Sequence, residues 1–216
     1  MISVGYKKTS SVITNQYIYR FHLESILLLT KLRFKELPMS ESASTINNLN
    51  DKLSTLMETA ALVNSTHNLE MVISRAVQSA CRLTGAETGS LLLLDTETGE
   101  LQFEVVLGQQ SANLTHLRIP KGQGIGGWVA ENNIAIIIAD VQADERFFRV
   151  ADVTTSFVTS SMIAVPLHVK GRVIGVLQAI NKQVGVFEHT DLKLAIALAN
   201  LVAPAIDETR TKKSVE

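Results

Sequence analysis

The segment from Asn181 to Asp191 joins a predicted apolar strand, Val173 to Ile180, directly to a predicted apolar helix. It holds an Asn-Lys pair, then Phe187, and then Asp191 four residues beyond the phenylalanine. We interpret Phe187 as a side chain that fills the core, and Lys182 with Asp191 as an ion pair across the turn. The segment therefore predicts a corner at which the last strand turns into a closing helix.

The bulk composition is that of one globular domain with extensions. The chain has 216 residues, of which 46% are hydrophobic and 19% charged, and this suffices to bury a single sizeable core. The net charge of −1 is unevenly distributed, because residues 1–40 carry six basic against two acidic side chains. The remaining, mildly acidic domain argues against nucleic-acid binding, which needs a clustered basic face.

Cys81 is the only cysteine in the chain. A single cysteine excludes an internal disulfide and a cysteine-rich zinc site, and it fits a reducing cytoplasm. No apolar run reaches the roughly 18 residues that a membrane span needs. We therefore expect a cytoplasmic protein with no membrane partner and no metal.

Residues 1–38 differ from the rest of the chain, because they are basic and show no clear hydrophobic period before Phe21. Two interpretations stay open: an additional helix, Phe21 to Leu37, that docks on the domain or on a partner, or a start site assigned too far upstream. We predict an N-terminal helix over 39–64, the main domain over 65–210 and a short tail over 211–216.

The predicted N-terminal helix carries an apolar stripe. Its positions are spaced alternately by three and four residues, as in a heptad repeat. The stripe is shorter than the three to four heptads of an independent coiled coil, so it needs a second surface to pack on. We favour a dimer seam over a core helix that lies on its own sheet. The stripe consists of Ile46, Leu49, Leu53, Leu56, Ala60 and Val63.

Hairpins and flanking helices set the fold class. Turn residues at Thr96–Gly99 and at Lys170-Gly171 each separate two strand-like segments. Helical patterns over Leu69–Leu83 and from His189 to about Arg210 flank the strands. Adjacent hairpins imply antiparallel pairing, so the sequence predicts an α+β sandwich.

Two further expectations concern segments between these elements. Leu101, Phe103, Val105 and Leu107 alternate along a strand, which predicts that all four lie on one face. The segment 140–160 has no regular period, and we predict it to be long and irregular.

The run Gly122 to Gly127 matches the G-x-G-x-x-G pattern of dinucleotide-binding sites. Pro120 breaks the chain just upstream, and the following helix, Ile125 to Asn132, spans only about two turns, so the match is not a Rossmann site. The glycines instead let the backbone turn tightly into that helix. Exposed amides at its N-terminus can still receive an anion.

Six sequence blocks occur in the order found in GAF domains, a family of small-molecule-sensing modules. They are Gly89–Asp95, Gly124–Ala130, Ile138–Asp140 with Arg146-Phe147, Ala164–Leu167, Val173–Val176, and Asn181-Lys182 with Phe187 and Asp191. From about Leu53 to Glu208 the chain resembles this family. The resemblance implies a six-stranded antiparallel sheet sandwiched between helices. It also implies a ligand chamber, roofed by the 124–132 helix and the 140–160 segment.

The pattern of Asn-Lys, Phe and Asp is associated with the cyclic-nucleotide-binding branch of GAF domains. That branch has an aromatic side chain near the end of the second strand that stacks on the base of the nucleotide, and Val106 occupies its position in this chain. Losing such a ring weakens the free energy of nucleotide binding by about 1–3 kcal/mol. Lys182 and Asp191 hold the corner rather than touch a ligand, so the motif can persist without a nucleotide. The resemblance implies these ligand-binding positions: Ser90, Val106, Ile125, Gly126, Phe148, Asp152, Thr155, Thr159 and Gln178.

Other cofactors and enzymatic activity are not expected. The chamber region has no cysteine for bilin attachment, and the histidines that could bind haem, His116, His168 and His189, fall at strand or loop edges. GAF relatives that reduce free methionine sulfoxide depend on several cysteines. Cys81 alone cannot supply both a nucleophile and a resolving thiol.

We interpret the chain as a stand-alone GAF sensory domain that dimerises through its terminal helices. A small molecule in the chamber would order the 140–160 segment and bias a separate signalling protein. A ligand-free dimerisation scaffold is the alternative from another class, and a redox enzyme is the third.

Overall fold

The structure is a computed structural model that describes residues 39–66, 68–107, 114 and 117–213. The chain divides into two compact units, residues 1–49 and 50–216. The predicted extension, residues 1–38, and the end of the predicted tail, residues 214–216, lie outside the described residues. Of the first unit the structure describes only residues 39–49, which begin the first helix.

Five helices occur in the described part of the chain. They are α1 (Met39–Ser65), α2 (Leu69–Thr84), α3 (Gly124–Asn132), α4 (Val150–Thr155) and α5 (His189–Lys213). Helix α2 begins where the cap was predicted, because Asn68 Oδ1 accepts a hydrogen bond of 3.0 Å from the Met71 N–H. It ends at Gly85, which has φ +65° and closes the helix in the left-handed conformation. None of these helices is long and apolar enough to cross a membrane.

Six strands form one antiparallel sheet in the order β3-β2-β1-β6-β5-β4. This confirms the predicted α+β fold and its six-stranded antiparallel sheet. The strands are β1 (Ala86–Leu94), β2 (Leu101–Val106), β3 (Arg118–Ile119), β4 (Ile136–Ile138), β5 (Met162–Val169) and β6 (Arg172–Lys182).

The central strand β1 is buried on both faces, as its run of leucines predicts. Leu91 and Leu93 face α2 and α5 and form part of the larger core, which we call the helix-side core. Leu92 faces the opposite way, into a second core that also contains Ile125 of α3; we call this the chamber-side core. The sheet therefore separates two apolar cores, one packed against α2 and α5 and the other facing α3.

A bulge in β2 contradicts the predicted alternation of Leu101, Phe103, Val105 and Leu107 on one face. Leu91 pairs with Val105 but Leu92 pairs with Phe103, so Glu104 is an additional residue in the strand. Leu101 and Phe103 lie in the chamber-side core, whereas Val105 and Leu107 pack against the helix-side core. The added residue thereby turns the side chain of Val106 toward the chamber-side core.

The corner after β6 has the predicted ion pair. Lys182 Nζ lies 2.6 Å from Asp191 Oδ2 and also donates to the Thr84 carbonyl at the end of α2, at 2.6 Å. Asp191 Oδ2 accepts a second hydrogen bond from the Glu188 N–H, at the beginning of α5. Phe187 is buried in the helix-side core beneath the pair. One lysine therefore joins β6 to the ends of two helices.

We call residues 140–160 the lid. The lid was predicted to be irregular throughout, and this is wrong for its second half, where Val150–Thr155 form helix α4. The helix is short and its carboxyl end is closed by Ser156 at φ +55°. Its apolar period is too short to detect, because six residues make less than two turns.

Helix α1 does not present the predicted stripe uniformly. In the second unit, Leu56 and Val63 pack against the helix-side core, whereas Leu53 is 54% exposed. A polar contact also joins α1 to α2, since Thr59 Oγ1 lies 2.8 Å from Ser79 Oγ and both side chains are buried. Within the second unit the helix packs on the domain along one side and leaves Leu53 exposed on another, so the dimer seam stays a prediction.

We expect Asp191→Asn to lower the free energy of unfolding by about 3 kcal/mol, because it leaves a largely buried ammonium without its carboxylate. Equilibrium urea denaturation measures this change. Arg172→Met is the matched control. Its pair with Asp207 has the same 2.6 Å separation, but the arginine side chain is 53% exposed. Exposed ion pairs contribute about 0–1 kcal/mol to the free energy of unfolding, so Arg172→Met should lower it by no more than that. An equal decrease in both variants would contradict a larger contribution from the Lys182–Asp191 pair.

Candidate ligand chamber

A cavity of about 380 Å³ lies between the sheet, helix α3 and the lid. We call it the chamber. Most of its wall is apolar, with aromatic and aliphatic side chains from β2, β3, α3, β5, β6 and the lid. The size and the apolar lining are typical of sites that enclose a small organic molecule. Four phenylalanines line it: Phe103, Phe147, Phe148 and Phe157.

A row of paired residues crosses the chamber floor. Ser90 of β1 pairs with Val106 of β2 on one side and with Gln178 of β6 on the other. Gln178 in turn pairs with Ala164 of β5. Directly paired residues in an antiparallel sheet point to the same face, so these side chains lie side by side beneath the chamber. The bulge at Glu104 brings Val106 into this row.

The floor holds one buried polar pair. Ser90 Oγ donates to Gln178 Oε1 at 2.9 Å, and the two residues are 1% and 5% exposed. Gln178 Nε2 donates to no acceptor among the described residues. A carbon added at Gly126 Cα would lie 3.2 Å from this nitrogen. The amide nitrogen of Gln178 therefore lies against the first turn of α3.

The glycines before and in α3 shape its N-terminal end. Gly122 and Gly124 have φ of +71° and +70°, in the left-handed region that favours glycine. A carbon added at Gly127 would lie 2.9 Å from the backbone of Gly122, so this glycine permits a close turn. The N–H groups of Gly124, Ile125 and Gly126 have no backbone acceptor among the described residues. The G-x-G-x-x-G pattern therefore builds a tight turn with unpaired amides at the chamber.

The lid is held together by a carboxylate. Asp152 Oδ1 accepts from Thr159 Oγ1 at 2.6 Å, and Oδ2 accepts from the Thr159 N–H at 2.9 Å and from Gln142 Nε2 at 3.1 Å. Arg149 donates to the side-chain and main-chain oxygens of Gln142. Both oxygens of Asp152 are thus engaged within the lid itself.

Each end of the lid has its own anchor. At the first end, Arg146 stacks over the Trp128 ring of α3 at 4.6 Å and pairs with Asp144, whose pKa it lowers. At the second end, Asn181 Oδ1 accepts from the Ser160 N–H at 2.7 Å, and Asn181 Nδ2 donates to the Val158 carbonyl at 2.9 Å. The lid is therefore attached to α3 and to the corner.

Comparison with known families decides the identity of the fold. The GAF domain family model matches residues 68–206, well over half of the chain. The chain belongs to the GAF domain family. The matched residues include the chamber, the lid and the corner, so the resemblance drawn from the sequence blocks is confirmed.

The curated relatives are much longer than this chain. It is 30% identical over 133 residues to the probable 3',5'-cyclic phosphodiesterase pde-5 of Caenorhabditis elegans, covering 57% of this chain and 18% of that protein. It is 35% identical over 112 residues to the dual 3',5'-cyclic-AMP and -GMP phosphodiesterase 11A of Takifugu rubripes, covering 47% and 12%. The match thus spans less than a fifth of either relative.

Among solved structures, the GAF domain of a phosphoenolpyruvate-protein phosphotransferase from Coxiella burnetii is similar, with a TM-score of 0.68. The identity is 23%, and the alignment covers 76% of this chain and 97% of that one. At this identity the likeness supports the shared fold alone.

All the residues that the sequence suggested as ligand-binding line the chamber of this GAF domain. Asp152 and Thr159 bond to each other, and Thr155 Oγ1 donates to the Ala151 carbonyl, so their polar atoms already have protein partners. Sequence reasoning missed several lining residues, Thr88, Phe103, Leu114, Ile119 and Phe157 among them. The nine suggested residues are Ser90, Val106, Ile125, Gly126, Phe148, Asp152, Thr155, Thr159 and Gln178.

Charge is sparse around the chamber. Among the described lining residues the ionisable side chains are Glu87 and Asp152, both acidic. The same part of the chain contains no cluster of three His, Cys, Asp or Glu side chains that could hold a metal. Cys81 lies on α2, and burial raises the pKa of its thiol to about 11, so the thiol stays protonated at neutral pH. It is not among the lining residues.

We expect Asn181→Gly to increase hydrogen exchange at the Ser160 and Ser161 amides by about tenfold, because both donate to the Asn181 side chain. Glycine tolerates the φ of +58° at this position, so the variant removes the side chain without backbone strain. Exchange measured by mass spectrometry or NMR tests this. The Ile163 amide, in β5, should change less; a uniform increase across the sheet would indicate general destabilisation instead.

Proposed function

We propose that this GAF domain is a regulatory module that binds a small molecule in its chamber and signals to a separate protein. The observation that carries the proposal is the largely apolar cavity with amide donors at one end that have no backbone acceptor among the described residues. Such a site combines burial for an organic ligand with a few polar groups that fix its orientation. Cytoplasmic location is part of the proposal and is supported by the single, protonated cysteine.

Cyclic nucleotides are the ligand class that we propose first. The phosphodiesterase names of the relatives support this choice, as do the eight lining positions other than Val106 that match the nucleotide-binding branch. The phosphodiester suits the amides of Ile125 and Gly126, since a helix N-terminus favours an anion. Val106 supplies no ring for the base, and this lowers the expected affinity.

Signal transmission is proposed to run from the lid to helices α2 and α5. Asn181 binds the end of the lid, and its neighbour Lys182 binds the end of α2 and the start of α5. A ligand that orders the lid would therefore act on the residue pair that also positions both helices. A partner that reads the helix arrangement would receive the signal.

A homodimer through the terminal helices is supported by exposed apolar side chains on α1. Leu53 and Met57, both in the second unit, are 54% and 64% exposed. Their spacing of four residues suits packing against the same helix of a second copy. A ligand-free dimerisation scaffold would need the same exposed apolar surface on α1. This scaffold therefore remains the alternative to a ligand-binding dimer.

We propose no enzymatic activity for the domain. The position of Cys81 outside the chamber lining and the raised pKa of its thiol argue against a thiol-based redox reaction there.

Thermal unfolding of the full chain against cyclic AMP and cyclic GMP tests the ligand proposal. A ligand at about 100 times its Kd adds roughly 2.7 kcal/mol, which should raise the Tm by about 5 °C or more. We expect Val106→Phe to tighten nucleotide binding by about tenfold, because it supplies a ring for stacking. Val184→Phe, at a residue that is 83% exposed and outside the chamber, is the control and should change nothing. If neither nucleotide binds either protein, this ligand class is excluded.

The dimer is tested by light scattering of the full chain. We expect Leu53→Lys to raise the dimer dissociation constant by about tenfold or more, because it introduces a charge into an apolar seam. Val186→Lys, at an exposed apolar residue outside α1, should leave the mass unchanged. A monomeric starting protein, or an unchanged mass for Leu53→Lys, would contradict the seam.

A further inference from the structure

Among the described residues that line the chamber, Glu87 and Ser156 are the two that are exposed. We infer that small molecules enter and leave the chamber through a mouth between Glu87 of β1 and Ser156 of the lid, and that Glu87 selects them by charge. Cations pass this mouth faster than anions. The selection acts on the rate of entry, whichever ligand the chamber holds. Glu87 is thereby a selectivity-determining residue outside the predicted ligand-binding positions.

Burial differs along the chamber wall, and the difference locates the mouth. The lining residues of helix α3 are buried, and so are those of β3, β5 and β6. The first half of the lid is held to α3 by Arg146, which stacks over Trp128 at 4.6 Å. In the second half, Ser156 follows α4 in an exposed turn. Entry through the buried walls would displace close-packed side chains, whereas entry beside Ser156 and Glu87 would not.

One side chain joins the two edges of the mouth. Asn181 Nδ2 donates to Glu87 Oε2 at 3.1 Å and to the Val158 carbonyl at 2.9 Å. Val158 lies two residues after Ser156, so the Glu87 carboxylate and the end of the lid are neighbours. A hydrogen bond therefore holds this carboxylate at the edge of the mouth, where an approaching molecule meets it.

The described lining residues contain no basic side chain that would offset the charge of Glu87. Their second acidic side chain, Asp152, has both oxygens engaged within the lid. A negative charge at an opening with apolar walls attracts cations and repels anions, because walls of low dielectric constant concentrate its field. Glu87 therefore gives the mouth a preference for cations.

The reactivity of a thiol on the chamber floor measures passage through the mouth. In the full chain carrying Cys81→Ala, Ser90→Cys provides a thiol at a position that is 1% exposed. It is treated with a cationic reagent, trimethylammonioethyl methanethiosulfonate, or an anionic one, sulfonatoethyl methanethiosulfonate. Each forms a mixed disulfide with the thiol and releases methanesulfinate. The ratio of the two rate constants, divided by the same ratio for free mercaptoethanol, gives the charge preference of the mouth.

We expect the mouth to favour the cationic reagent by about tenfold, because one charge a few ångströms away changes each rate by a small factor in opposite directions. Glu87→Gln keeps the size of the side chain and removes its charge, and it should lower the preference to about twofold. Glu97→Gln, at an exposed glutamate beyond the far end of β1, is the matched control and should leave the preference unchanged. High salt should reduce the preference of the parent protein.

Asn181→Gly separates the opening of the mouth from its charge. This variant removes the hydrogen bonds between the two edges and retains Glu87. It should therefore increase both rate constants by about the same factor. An increase for the cationic reagent alone would contradict the role of Asn181 at the mouth.

Three outcomes would overturn the assignment. The first is a preference that Glu87→Gln leaves unchanged, and the second is an equal decrease in Glu97→Gln. The third is labelling no faster than exchange of the slowest backbone amides, since this reports global unfolding. Val106→Cys, also on the floor, is the second reporter if Ser90→Cys does not fold. Thermal unfolding with cyclic AMP and cyclic GMP tests the proposed function separately, because thiol labelling requires no bound ligand.

Discussion

Asn181 and Lys182 are the two residues through which the lid, the sheet and the helices are joined. Asn181 has φ +58°, and from this turn its side chain bonds the end of the lid at Ser160. The next side chain, Lys182, bonds the Thr84 carbonyl of α2 and Asp191 of α5. A single peptide bond joins the two residues, so the end of the lid and the ends of both helices are held at adjacent positions of the backbone.

The pairing register of the strands determines which side chains line the floor of the chamber. Val106, Ser90 and Gln178 share one row because β2, β1 and β6 pair at these residues, and Val106 joins the row only through the bulge at Glu104. A sheet without the bulge would turn a different side chain toward the chamber. The character of the site therefore depends on a single inserted residue in a strand whose own sequence shows regular alternation.

Sequence patterns predicted the features that depend on residues close together in the chain. They failed for the features that depend on residues distant in the sequence. The Asn68 cap, the Gly85 terminus and the corner at Asn181 depend on residues close in sequence, and sequence reasoning found them. The bulge at Glu104 depends on the neighbouring strand, and helix α4 is too short for a period to show. The engagement of Asp152 by the lid also could not be predicted, because Gln142 and Thr159 meet it only in the folded chain.

The residues whose pattern identifies the family are not the residues that line the chamber. Asn181, Lys182 and Asp191 lie outside the chamber lining, and their contacts are made to backbone, helix ends and the lid. Their pattern can therefore be maintained for the sake of the fold, whatever the chamber binds. The chamber is lined instead by residues of the floor, the lid and the start of α3, and Val106 lies on the floor in one row with Ser90 and Gln178. The chemistry of the chamber in this GAF domain therefore depends on its lining, whereas the motif fixes how the lid and the helix ends are attached.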